Sequence, residues 1–300
     1  MKKSLLFLLL FFTVTVFAQP AIRPKATAIN ILGLQVDFAA RDTKAELTYA
    51  NGEKQVGYIR GFIQNKAVTL GIQNPFKNFD YIDALNLSDK SFSFRKSLDD
   101  KAVVLQSEEV SEVKILDEDI TVRHYKLMDM ATVNSDGTIK NLNRKAWLPF
   151  YSQGVVNILS FDVYEEKLNH QDQGTGTYEK TVTMIFLNDP KNNLAINVRD
   201  YGIMDMFKAK KLLNKWTGGL VEIFKDCPEF IKSNTDAKGI WNFEADYFET
   251  EELEKAKIKE IKADKSIKRE ERNIQLNTLD TDIQILPYAR MIEDYSKKCK

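Results

Sequence analysis

The chain has 300 residues, 43% of them hydrophobic, with 43 basic and 43 acidic side chains and a formal net charge of zero. That much apolar material excludes a disordered polymer and permits a sizeable core, in one large domain or two modest ones. The charge balance argues against a nucleic-acid binder, whose affinity rests on positive charge concentrated against phosphates.

Lys2 and Lys3 precede an uncharged run from Leu5 to Phe17, and Val16-Phe17-Ala18 then stands before Gln19. A basic start, an apolar stretch of about 13 residues and compact residues before a cut are the parts of a secretory signal. Residues 1–18 are therefore expected to be a signal peptide cleaved after Ala18. The run is shorter than the roughly 20 apolar residues a membrane helix needs. No cysteine lies near the cut to carry a lipid, and no later run reaches spanning length. The mature chain is expected to be soluble and exported (periplasmic, surface-associated or secreted), with no transmembrane segment. Loss of Lys2 and Lys3 leaves 41 basic against 43 acidic residues.

After an irregular lead-in over 19–26, with Pro20 and Pro24, residues 27–200 are expected to form an antiparallel β-rich domain, sandwich-like or barrel-like. Its clearest signal is Asn51-Gly52 between two runs of strand formers, the chemistry of a two-residue hairpin turn. Such a turn sets Leu47 opposite Val56, Tyr49 opposite Lys54 and Ala45 opposite Tyr58 on one largely apolar face. Glu46, Thr48, Gln55 and Gly57 fall on the other. Further strands are expected at 67–72, 91–95, 113–116, 120–133, 155–164, 178–187 and around Leu194, Ile196 and Val198. Within 120–133, alternation places Ile120, Val122, Met128 and Met130 on one side and Arg123 and Asp129 on the other. Asn134-Ser135-Asp136-Gly137 and Asn188-Asp189-Pro190 are turn chemistry between neighbouring strands. No helix-length pattern intervenes convincingly, so antiparallel pairing is favoured.

From residue 201 to 300 the chain turns helical. Ile203, Met206, Phe207, Leu213 and Trp216 recur at helical spacing, and Gly218-Gly219 is expected to end that helix. Pro228 opens a short helix. The charged stretch 244–273 reads as an exposed helix with Ile258 and Ile261 inward, and a last helix covers 282–298 with Pro287 at its start or at a kink. No internal repeat is visible, which argues against a solenoid or propeller.

The chemistry-bearing residues are few. Cys227 and Cys299 are the two cysteines, and an even count in an exported chain reads as a disulfide tying the tail to the body. Two histidines, His124 and His170, lack the short paired spacing of a zinc site, so no metal is expected. His124 reads as a partly buried, hydrogen-bonded strand residue and His170 as a loop residue. Asp117-Glu118-Asp119 lacks the alternating ligands and glycine of a calcium loop. No nucleophile elbow, phosphate loop, paired-histidine zinc motif or dinucleotide fingerprint occurs, and no cofactor is expected. Trp147, Tyr151 and Trp241 are candidate binding aromatics for a sugar or a partner surface. The alternative for them is packing between sheet and helices.

Several short pieces together resemble a group of exported proteins of Bacteroidota-type bacteria that has no assigned activity. They are Ala18-Gln19 at the end of the leader, Gly57-Tyr58-Ile59 in the early hairpin, Asp226-Cys227-Pro228-Glu229, and Tyr295 with Cys299. The resemblance implies compartment and organisation, and it carries no catalytic residue. The expectation drawn from the sequence is an exported, non-enzymatic binding or envelope-associated protein with a protein or glycan partner. The alternative is a secreted or periplasmic hydrolase whose site assembles only in space.

Overall fold

The computed structural model describes residues 42–63, 82, 87–117, 120–167, 177–198, 209–242 and 251–299. The leader, the 67–72 strand, His170, Glu118 and Asp119, Ile203 to Phe207 and Phe243 to Phe248 lie outside these residues. Among the described residues ten strands form one sheet: β1 Thr43–Tyr49, β2 Lys54–Arg60, β3 Ser91–Arg95, β4 Val103–Gln106, β5 Val110–Asp117, β6 Ile120–Val133, β7 Ile139–Ser152, β8 Asn157–Lys167, β9 Thr177–Asn188 and β10 Leu194–Asn197. Four helices follow among the described residues: α1 Ala209–Ile223, α2 Pro228–Asn234, α3 Glu251–Ala263 and α4 Arg269–Lys298. The fold is thus strand-rich and barrel-like in its amino-terminal and central part, with helices towards the carboxy terminus.

The sheet order is β10-β9-β8-β7-β6-β5-β1-β2-β3-β4, and β10 also pairs with β6. That second pairing closes β6 to β10 into a ring of five strands. Successive antiparallel strands reverse direction, so the first and fifth of such a run point the same way and their closing pair must be parallel. Leu194, Ala195 and Ile196 do run parallel to Asp129, Met130 and Ala131, an exception to the antiparallel pairing of the other described strands. β5 occupies the same edge of β6 nearer its start, from Glu112↔Lys126 to Asp117↔Ile120. From there β5, β1, β2, β3 and β4 extend away as an open wing.

The hairpin at Asn51-Gly52 forms, but one residue out of the expected register. Thr48 pairs with Lys54, Leu47 with Gln55 and Ala45 with Gly57. The Gly52 amide donates to the Tyr49 carbonyl, and the Tyr49 amide to the Glu53 carbonyl. Only Gly52 has positive φ there, at 87°, and the Asn51 side chain accepts the Glu53 amide at 2.9 Å. This is a three-residue loop with a left-handed third residue. A one-residue slip exchanges faces. Val56 is accordingly exposed, and Gly57 and Ile59 turn inward beside Ala45 and Leu47. A side chain at Gly57 would run into the Phe94 ring and the Arg95 carbonyl.

Inside the ring lie Met128, Met130, Ala146, Leu148, Leu159, Phe161, Met184, Phe186 and Ala195, all buried. The outer face carries Ala131, Val133, Ile158, Ile185, Leu187 and Ile196, covered by Leu220, Phe224, Phe230, Ile285, Tyr288 and Met291 of the helical part. An aromatic nest fills the wing and is continuous with the interior of the ring. Phe62 meets Phe92, Tyr125 and Trp147 edge-on at centroid distances of 5.2–5.4 Å. β6 serves both compartments. Tyr125 and Leu127 are buried alongside Met128 and Met130, so the simple alternation expected over 120–133 gives way to a strand buried on both faces.

α1 runs straight through Gly218-Gly219 instead of ending there. A Cβ on Gly218 would overlap the Gly137 carbonyl in the β6–β7 turn, and one on Gly219 would press on Val133 and Val198. The glycines are where the helix seats on the barrel. α4 is 30 residues long, about 45 Å at helical rise, and Pro287 lies in its interior rather than near its start. The missing N–H at that position leaves the Ile283 carbonyl without its usual helical donor.

Candidate functional site

β1, β5 and β6 place their even-numbered side chains on one face, which is wet on the wing and continues into the barrel lumen. Across it, Glu46 is the partner of Lys114, and Lys114 is the partner of His124. One step along the strands, Thr48, Glu112 and Lys126 stand in line. Lys114 Nζ lies 3.1 Å from Glu46 Oε1, and His124 Nε2 lies 3.0 Å from Glu112 Oε2. The next strand brings the Phe150 ring to 4.6 Å from the imidazole. His124 therefore marks the boundary where a ladder of alternating charge meets the apolar interior of the ring.

The hydrogen bond from His124 holds the Glu112 carboxyl below its ordinary value. Burial opposes this shift, and the charges of His124, Lys126 and Lys114 add to it. A carboxylate only accepts, so His124 Nε2 is the nitrogen that carries the proton in this pair. His124 is half-buried and hydrogen-bonded, as expected from the sequence. The face can dock a polar chain through paired charges and one oriented imidazole.

A second polar group sits between β8, β9 and α4. Asp162, buried in the outer wall of the ring, accepts from Thr183 Oγ1 at 2.8 Å and from Thr281 Oγ1 at 2.8 Å. Nearby, Asn157 donates to Asn188 at 2.8 Å, and Asn188 donates in turn to the carbonyls of Asp189, Asn192 and Leu194. These contacts fix α4 and the β9–β10 turn to the barrel. A sequence signal existed for the first of them: Ser160 and Asp162 interrupt the apolar run 158–163 at the period of one strand face.

Cys227 and Cys299 stand at disulfide distance, 5.9 Å between Cα atoms, and join the cap of α2 to the cap of α4. Phe224, Phe230 and Tyr295 pack around this junction, with Lys298 over the Phe230 ring. Of the three candidate binding aromatics, Trp147 is 0% and Trp241 1% exposed. Trp147 Nε1 donates to Ser107 Oγ at 3.1 Å within the wing core, and Trp241 lies against Phe224 and Phe230 under the helices. Neither offers a ring to solvent, so both are packing residues, Trp241 at the expected sheet–helix junction. Tyr151 is half-buried and donates to Asp282 of α4 at 2.9 Å. The fold does not bring these three rings together.

Among the described residues no three or more His, Cys, Asp or Glu side chains converge as metal ligands, and no helix is long and apolar enough to cross a membrane. No protein-family model, curated protein or solved structure matches the chain.

Proposed function

We propose that the chain is an exported, non-enzymatic binding protein of the cell envelope, which docks a partner on the polar wing face around Glu46, Glu112, Lys114, His124 and Lys126. The observation that carries the compartment is the pairing of the two cysteines across 72 residues. Such bonds persist where thiols oxidise, outside the cytoplasm. The leader at residues 1–18 and the resemblance to exported Bacteroidota-type proteins support the same reading.

Of the two partner classes, protein fits better than glycan. Sugar recognition draws on exposed aromatic faces, and both tryptophans of the candidate set are buried. The ladder offers charges of both signs at strand spacing, which suits a polypeptide of complementary pattern. Amino-terminal sequencing of native protein should begin at Gln19, and non-reducing mass spectrometry should return a Cys227–Cys299 peptide. Met1 on protein from an intracellular pool would overturn the compartment. For the face, the double variant Lys114→Glu, His124→Ala should lose whatever envelope protein cross-links to the unchanged chain. Retention of the same cross-link would overturn that part.

A further inference from the structure

The hairpin of α3 and α4 carries a feature that the wing reading does not use. Residues 257–269 contain six cations, Lys257, Lys259, Lys262, Lys265, Lys268 and Arg269, against two acids, Glu260 and Asp264. All eight are exposed. None of the six cations forms an ion pair with a described residue, in contrast to Lys255, which reaches Glu252 at the base of the same helix. Asp264 is already committed. Its Oδ1 accepts the Ser266 amide at 2.8 Å and the Ser266 hydroxyl at 2.6 Å, and those bonds hold its carboxyl below the usual range. Arg272 donates to the carbonyls of Asp264 and Ile267 at 2.8 and 3.0 Å, which closes the turn between the helices. A firmly built turn thus presents a net charge of plus four over 257–269, and of plus three over 257–272 with Glu270, Glu271 and Arg272 counted, on a chain that is neutral as a whole.

We propose that this turn is an electrostatic docking tip for an anionic lipid leaflet. The side-chain chemistry separates this occupant from other polyanions. Single-stranded nucleic acids are gripped by aromatic stacking as well as by charge, and residues 251–273 contain no aromatic side chain. Five of the six cations are lysines, compact point charges suited to diffuse phosphate rather than to a bidentate, oriented partner. Lys259 and Lys262 share one side of α3, and Lys265, Lys268 and Arg269 follow in the turn and at the start of α4. Ile258, Ile261 and Ile267 are half-buried. Attachment is therefore by charge at the headgroups, without insertion into the acyl layer. Each lysine near such a surface adds to the attraction, and salt screens it.

The test is co-sedimentation of the full chain with vesicles of phosphatidylcholine alone or mixed with phosphatidylglycerol. The readout is the difference between wild type and tip variant on each composition, since the basic, apolar leader, where uncleaved, contributes equally to both proteins. We expect binding that depends on the anionic lipid at low salt and disappears at high salt. Lys262→Glu, Lys265→Glu, Lys268→Glu should weaken it about tenfold or more. The same reversal at Lys96, Lys101 and Lys238, exposed lysines elsewhere, should weaken it far less. Where reversal disturbs the hairpin, judged by the thermal melt, glutamine at the same three tip positions serves instead.

Equal binding by wild type and tip variant, equal loss from the distant set, or no preference for the anionic vesicles would overturn the proposal. So would capture by soluble polyphosphate without capture by vesicles. The inference is independent of the wing face, whose variants should leave vesicle binding unchanged.

Discussion

The wing and the ring are built on one continuous hydrogen-bonded ladder, yet they are stabilised differently. β1 and β2 have a dry face and a wet one, with Ala45, Leu47 and Ile59 inward and Val56 and Lys54 outward. β9 is dry on both faces from Thr183 to Asn188, because the lumen takes one side and the helices take the other. A strand coated on both sides has no surface left for a partner. On the wing one face carries half-buried polar side chains, and the charged ladder lies there. The buried threonine, aspartate and asparagines of the ring are what a doubly covered sheet needs wherever a polar side chain is retained.

Substitutions can break each region separately. The largest effect is expected in the wing. Trp147→Ala would leave a cavity beside Phe62 and Phe92 and remove the indole N–H that donates to the Ser107 hydroxyl, costing about 5 kcal/mol in urea unfolding. Loss of the covalent tie follows. The double variant Cys227→Ala, Cys299→Ala should cost on the order of 4 kcal/mol for a loop of this length, read as a lower melting temperature. Hydrogen exchange should rise at α2 and the end of α4 before it rises in the wing. Gly218→Ala should cost about 3 kcal/mol, since overpacking against backbone cannot relax by a rotamer change. The neighbouring Gly219→Ala meets only methyl groups and recovers helix propensity, so its melt should lie much closer to wild type. Thr281→Val removes a donor from buried Asp162 and should cost about 2 kcal/mol.

The smallest effect belongs to the wet ladder. Glu112 is held below its ordinary value in the folded chain, so its contribution is complete above the unfolded value and is lost as pH falls through the folded one. Glu112→Gln should flatten that acid limb and leave stability at neutral pH within about 1 kcal/mol, because the pair is half-exposed. A pH series of thermal melts on both proteins reads the difference.

How much of this was legible follows the same division. The Asn51-Gly52 hairpin announced itself, yet its register did not, because asparagine and glycine serve two-residue and three-residue loops alike. The span 120–133 was readable as a strand, but its burial was not, since alternation assumes one wet face and β6 has an interior on each side. β7 was hidden by Asn141, Asn143, Arg144 and Lys145 and by Pro149, and the ladders to β6 and β8 make a strand of it. Gly218-Gly219 looked like a helix stop because local propensity knows nothing of the Gly137 carbonyl. The cysteine pair was readable from an even count together with the expected export. His124 was readable as half-buried, although its partner Glu112 lies across a strand boundary that spacing does not reveal.

The parallel seam between β6 and β10 also governs the order of assembly. A chain made from its amino terminus releases the wing and four arc strands before the short segment Leu194–Asn197 that closes them. Until then the lumen-facing methionines and phenylalanines of β6 to β9 line an open trough with two unsatisfied margins, the state most prone to sticking to other chains. Joining residues some 65 positions apart is a slow kind of contact to make. Variants that weaken Ala195 or Ile196 should therefore be noticed first as lost yield, before any change in the finished protein.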